Sequence, residues 1–129
     1  FSEVINDTPW LVPQYVGPEY KHSYWTWVVK LNDPKISWYD FRNKFVELGG
    51  DGIYGTWKLT YLEPMFQELN FLGREKFISK ENLDSYRAGL CPVAEDLQAK
   101  LLQFKTNYWD ISEAEIQADV LKATIDFFS

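Results

Sequence analysis

Side chains able to do covalent or proton-transfer chemistry are scarce here: the chain has one histidine, His22, and one cysteine, Cys91. With no second histidine and no cysteine pair, His22 cannot belong to a metal site of ordinary type. It reads as a surface or internally hydrogen-bonded histidine, or as a group reaching a polar ligand beside Tyr24. Cys91 precedes Pro92 at a helix start, where the positive end of the backbone dipole would favour a thiolate. A nucleophile needs a base, and no spacing brings His22 to it, so Cys91 reads as structural. Gly49-Gly50-Asp51-Gly52 suggests a phosphate cradle, yet it follows a helix rather than opening one and lacks a Gly-Lys-Ser/Thr ending. A left-handed helix stop is the simpler role. Glu63 and Glu68 lie near Trp57 and Tyr61 and would make a glycosidase pair. Among nineteen Asp plus Glu, chance proximity explains such a pair as well. The stronger signal is aromatic. Trp25, Trp57 and Tyr61, with Lys58, form a polar-aromatic wall suited to a sugar or a base, whose flat faces match aromatic rings; core packing is the competing role of the tryptophans.

Composition limits what these residues can serve. At roughly 150 residues per domain, 129 residues make one domain. Thirteen Lys plus Arg against nineteen Asp plus Glu leave a net charge of −6, which argues against a nucleic-acid partner, since phosphate neutralisation needs a basic face. No apolar run approaches the ~20 residues of a membrane span, so a membrane partner is not expected. A lone cysteine rules out an internal disulfide framework and fits a reducing compartment, here read as the cytoplasm. The chain starts at Phe1 without an initiator Met, which reads as a trimmed or cut N-terminus. Nine Phe, eight Tyr and six Trp are too many rings for one small core. Some are expected on a groove or an interface, a homodimer contact among them.

The elements follow from periodicity. Residues 1–23, with Pro9, Pro13, Gly17 and Pro18, read as an extended lead-in packed through Trp10, Leu11, Val12 and Tyr15. Residues 24–31 alternate, with Trp25, Trp27, Val29 and Leu31 on one face. The opposite face is also largely apolar, so a central strand covered on both sides is expected. Ser37 caps a helix, Ile36 and Phe41 staple its start, and Trp38, Phe41, Phe45 and Leu48 form its stripe before Gly49-Gly50 ends it. Residues 52–57 suggest a brief strand. A second helix starts near Pro64 and turns Met65, Phe66, Leu69 and Leu72 inward, residues 73–90 read as a long surface loop, and Cys91-Pro92 opens a short helix. Residues 101–104 suggest a further strand. Ser112 and Glu115 form a capping box, and the last helix is expected to bury Ile116, Val120, Ala123 and Phe127. The sum is an α+β domain with no self-contained catalytic centre.

Several segments, taken in order, resemble the C-terminal small domain of the DegT/DnrJ/EryC1/StrS family of sugar aminotransferases. They are His22-Ser23-Tyr24-Trp25 leading into Val28-Val29-Lys30-Leu31, then Phe41-Arg42-Asn43-Lys44-Phe45, Gly52-Ile53 and Leu62-Glu63-Pro64-Met65-Phe66. Cys91-Pro92-Val93-Ala94-Glu95 and residues 102–108 complete the set. The resemblance covers residues 10–127. It implies the small domain of a pyridoxal-phosphate enzyme of fold type I: an antiparallel sheet of three or four strands with helices mainly on one face. It further implies that the chain holds no cofactor itself. Pyridoxal phosphate would sit on a lysine of a large N-terminal partner domain, where the pyridine ring serves as electron sink. The substrate would be a nucleotide-linked keto sugar or cyclitol. The small domain would close the active-site mouth, with His22, Tyr24, Trp25, Trp57, Lys58 and Tyr61 facing it and no catalytic residue of its own. Two departures leave the substrate open: the family often has a histidine where Trp25 stands and a Leu-His pair near Tyr61 and Leu62. A stand-alone carbohydrate-binding module is the alternative.

Overall fold

Alternating apolar residues become one buried sheet face in a computed structural model that describes residues 1–68 and 86–129. The chain divides into two units, one of residues 1–55 with 100–129 and one of residues 56–99. The first unit holds β1 (Leu11–Pro13), β2 (Trp27–Leu31), α1 (Trp38–Glu47), β3 (Leu101–Phe104) and a long C-terminal helix, Ile111–Phe128. The second holds a 3-10 turn (Thr60–Leu62), α2 (Pro64–Glu68) and α3 (Pro92–Gln98); the C-terminal helix is α4. The class is α+β, with a three-stranded antiparallel sheet ordered β1-β2-β3. Among the described residues no helix is long and apolar enough to cross a membrane.

The register places core residues opposite core residues. Trp27 faces Phe104, Val29 faces Leu102, and Leu11 faces Leu31, and all six are nearly inaccessible. Cross-strand pairs of this kind are the stabilising unit of a sheet. Phe41 and Phe45 of α1 and Leu121 and Ile125 of α4 belong to the same core cluster. Burying each such side chain contributes about 1.5–3 kcal/mol. Phe45 meets Phe104 edge-on at 5.5 Å, and Phe128 stacks on Phe41 at 5.9 Å. The indole of Trp38 donates to the Leu101 carbonyl at 3.0 Å, which ties the start of α1 to β3.

Helix α1 starts as its sequence implies. The Ser37 hydroxyl accepts from the Asp40 amide at 3.1 Å, and the staple residues Ile36 and Phe41 are both buried. Gly49 stops it in the left-handed region at φ 96°, where a side chain would be strained. Leu48 caps the C-terminus and is 41% exposed instead of closing the stripe.

Other expectations change. The N-terminal lead-in contributes an edge strand and the buried Ile5, while Tyr15 is 84% exposed. Strand β2 begins at Trp27, so Trp25 is 76% exposed rather than in the core. Tyr24, at φ 50°, turns the chain just before it. Residues 52–57 form only a single bridge, Tyr54 to Gln103, beside buried Ile53. Met65 is exposed, and Phe66 is half-buried with its ring 6.0 Å from Tyr86. Leu69, Leu72 and most of the expected loop lie outside the described residues. Helix α4 has Asp110, not Ser112, at its N-cap position, with no side-chain capping bond, and buries Gln117, Leu121, Thr124 and Ile125. Ile116 and Phe127 face outward and Ala123 is exposed, while Val120 is partly buried against the core.

Two glycines behind α1 differ sharply. A Cβ on Gly50 would meet the Phe45 ring at 2.2 Å, whereas one on Gly52 meets nothing within 4 Å. Phe45 is buried and cannot yield. Gly50→Ala is therefore expected to lose about 1–3 kcal/mol through overpacking. Gly52→Ala should be neutral or gain about 0.4–1 kcal/mol by restricting the unfolded chain. Urea unfolding of both variants checks the contrast.

Candidate functional site

The six sequence-predicted residues divide three and three between the units. In the first unit His22 and Tyr24 are brought together: their rings stack at 4.3 Å, and the Tyr24 amide donates to Nδ1 of His22 at 2.8 Å. That bond makes Nδ1 the acceptor and leaves the proton on Nε2, which donates to Oε1 of Gln14 at 3.1 Å. Both imidazole nitrogens are engaged, so His22 acts as a turn-former. The Thr106 hydroxyl reaches the carbonyls of Tyr24 and Trp25 at 2.8 and 3.0 Å, which fixes the backbone from which the exposed Trp25 ring projects.

Trp25 lines an open groove of about 490 Å³ together with Asp51, Gly52, Tyr54, Lys105 and Asn107. Gln103 positions one wall: it pairs with Tyr54 through the backbone and donates from Nε2 to the Gly55 carbonyl at 3.0 Å. The Asp51 amide donates to the buried Oε1 of Gln117 at 2.7 Å, and the Asp51 carboxylate lies 3.3 Å from Nζ of Lys105. Lys105 also sits 4.7 Å above the Tyr108 ring. Burial, followed by the negative charge of Asp51, pushes the Tyr108 phenol upward, so Tyr108 stays protonated and neutral beside the pair.

In the second unit Trp57 is 82% exposed, Lys58 is exposed and Tyr61 is half-buried. Helix α3 braces this segment. The Thr56 hydroxyl donates to the Gln98 carbonyl at 2.9 Å, and Gln98 Nε2 returns a bond to the Trp57 carbonyl at 2.7 Å. The Tyr61 hydroxyl donates to Oε1 of Glu95 at 2.5 Å, and the Gly89 amide reaches both Glu95 oxygens at 2.8 and 2.9 Å. The Tyr61 hydrogen bond, then those of the Gly89 and Cys91 amides, hold the Glu95 carboxyl below its ordinary range. Burial and that same carboxylate push Tyr61 up to about 12.

Sequence reasoning missed Asp51, Gly52, Tyr54, Lys105 and Asn107. Asp51 and Gly52 stand in the helix-stopping run, and the signal for Tyr54 was its alternation with buried Ile53. Two of the lesser candidates stand at helix starts. Cys91 is the residue before α3, and the Glu63 carbonyl accepts from the Phe66 and Gln67 amides at the start of α2. Among the described residues no group of three or more His, Cys, Asp or Glu can hold a metal ion. Compared with known proteins, the chain matches no family model, no curated protein and no solved structure.

The Glu95 contacts carry a pH signature. A carboxyl held below its ordinary 4.5 contributes stability above that value and loses it as pH falls through the folded value. Tyr61, raised from 10.0 to about 12, contributes fully below 10.0 and loses its contribution between the two. Amide signals of Gly89 and Cys91 should move through an acidic step in the wild type. Glu95→Gln, which cannot titrate there, should abolish that step.

Proposed function

We propose that the chain is the small domain of a pyridoxal-phosphate-dependent aminotransferase acting on a nucleotide-linked keto sugar or cyclitol, within a cytoplasmic enzyme. Its role is to cover the active-site mouth and hold substrate. The observation supporting this reading is that the resembling segments of each unit coincide with its regular elements. His22–Trp25 turns into β2, Phe41–Phe45 lies on α1, Cys91–Glu95 opens α3, and β3 follows. The antiparallel sheet has one buried face, against which helices pack.

The chain's own residues then bind and orient rather than transfer protons. The exposed rings of Trp25 and Trp57 stand on backbones fixed by Thr106 and Gln98, a preorganisation that limits the entropy lost on binding. Cofactor chemistry belongs to the large partner domain, and the remaining exposed aromatics supply contacts to that domain or to a second copy. A stand-alone carbohydrate-binding module is the second reading, favoured by the groove beneath Trp25.

Two measurements test the proposal. The coding sequence 5′ of Phe1 is expected to contribute roughly 250 residues of α/β pattern with a cofactor-anchoring lysine. Borohydride reduction of the chain with pyridoxal phosphate should leave no stoichiometric lysine adduct. Such an adduct, or an upstream sequence without that domain, would overturn the reading. In the full-length enzyme Trp57→Ala should raise KM for the sugar several-fold.

A further inference from the structure

Trp25 and Tyr54 are 76% and 61% exposed, and both line the groove of the first unit. Its volume falls within the few-hundred-Å³ range of small-molecule sites. Asp51 and Lys105 are the charged side chains among its lining residues, and they pair at 3.3 Å. The lining carries no net charge. The pair is partly solvent-exposed, so an anion would meet a modest, screened penalty: it would compete with Asp51 for Lys105 and be repelled by the adjacent carboxylate. A neutral ligand with many hydroxyls faces no such penalty. Its hydroxyls can donate to the Asp51 carboxylate and accept from Lys105 or from the Asn107 amide. Its C–H face can lie on an aromatic ring, whose π surface is electron-rich.

The site is also held in place. Gln117 anchors the Asp51 amide, Thr106 anchors Trp25, and Gln103 anchors Tyr54. We infer that this groove binds a neutral pyranose ring, seated on Trp25 and Tyr54 with its hydroxyls on Asp51, Lys105 and Asn107. The inference rests on the sugar-binding character of the proposed function. It adds a set of contacts distinct from the Trp57–Tyr61 segment, and it assigns them to the uncharged ring of a glycoside rather than to phosphates.

The test is a ¹H–¹⁵N titration of the chain with the methyl glycosides of glucose, galactose, mannose and N-acetylglucosamine, and separately with inorganic phosphate. At least one glycoside should give saturable shifts at Asp51, Gly52, Tyr54 and Lys105–Asn107. Those shifts should be lost in Trp25→Ala and in Gly52→Phe, which fills the open space at Gly52. Both variants should keep the remaining spectrum. No saturable shift with any glycoside overturns the inference, as do shifts that persist in Gly52→Phe or a groove answering to phosphate alone. The upstream coding sequence decides the aminotransferase reading independently, so either can fail without the other.

Discussion

The first unit depends on the pairing of Trp27 with Phe104 across β2 and β3. A three-stranded sheet of such short strands has little stability until its apolar face is covered. The Trp27 and Phe104 rings lie 5.2 Å apart; Phe1 packs on both, and Phe45 of α1 meets Phe104. The chain on either side of this pair must leave the core. Trp25 and Thr26 lie just before β2 and Lys105, Thr106 and Asn107 just after β3, and these five line the groove together with Asp51, Gly52 and Tyr54. The sheet thus positions the groove by ending where it does.

How much of this was legible depended on whether the signal was local. Helix α1 was readable because its cap, its staple and its glycine stop lie within a few residues of one another. Strand β3 and the start of α3 at Pro92 were equally plain. Helix α4 was misread in phase. Ile116, Val120, Ala123 and Phe127 fit a helical stripe, and so do Gln117, Leu121, Thr124 and Phe128, one residue on. The choice between them is made by tertiary partners. Buried Gln117 answers the Asp51 amide, and Thr124 satisfies its hydroxyl on the Val120 carbonyl at 2.8 Å. Two polar residues therefore face inward, and Phe127 stays outside beneath Lys44, 4.1 Å away. Hydrophobicity alone could not have ranked the two stripes.

The site was half legible for the same reason. Trp25 and Trp57 were visible as tryptophans next to turn-forming residues. Strict alternation nevertheless puts Trp25 on the same face as Trp27, Val29 and Leu31, because the sequence does not reveal that Tyr24 takes a left-handed backbone and that the strand begins only at Trp27. Tyr54 and Lys105 are far apart in the chain and meet only through the Tyr54–Gln103 bridge. Such a nonlocal bridge leaves no trace in spacing.

Several chemically capable side chains are each paired within their own unit. His22 uses one nitrogen within its own turn and the other on Gln14, Glu95 is surrounded by donors, and Asp51 and Lys105 neutralise each other. A general base or nucleophile needs an uncommitted atom facing substrate, and groups locked in this way serve that role poorly. They serve rigidity well, because each closes a loop that carries an exposed ring. In the proposed role this is the useful division. A domain that meets substrate through fixed rings and charge-balanced polar groups can orient a sugar without competing for the proton that the cofactor chemistry must move.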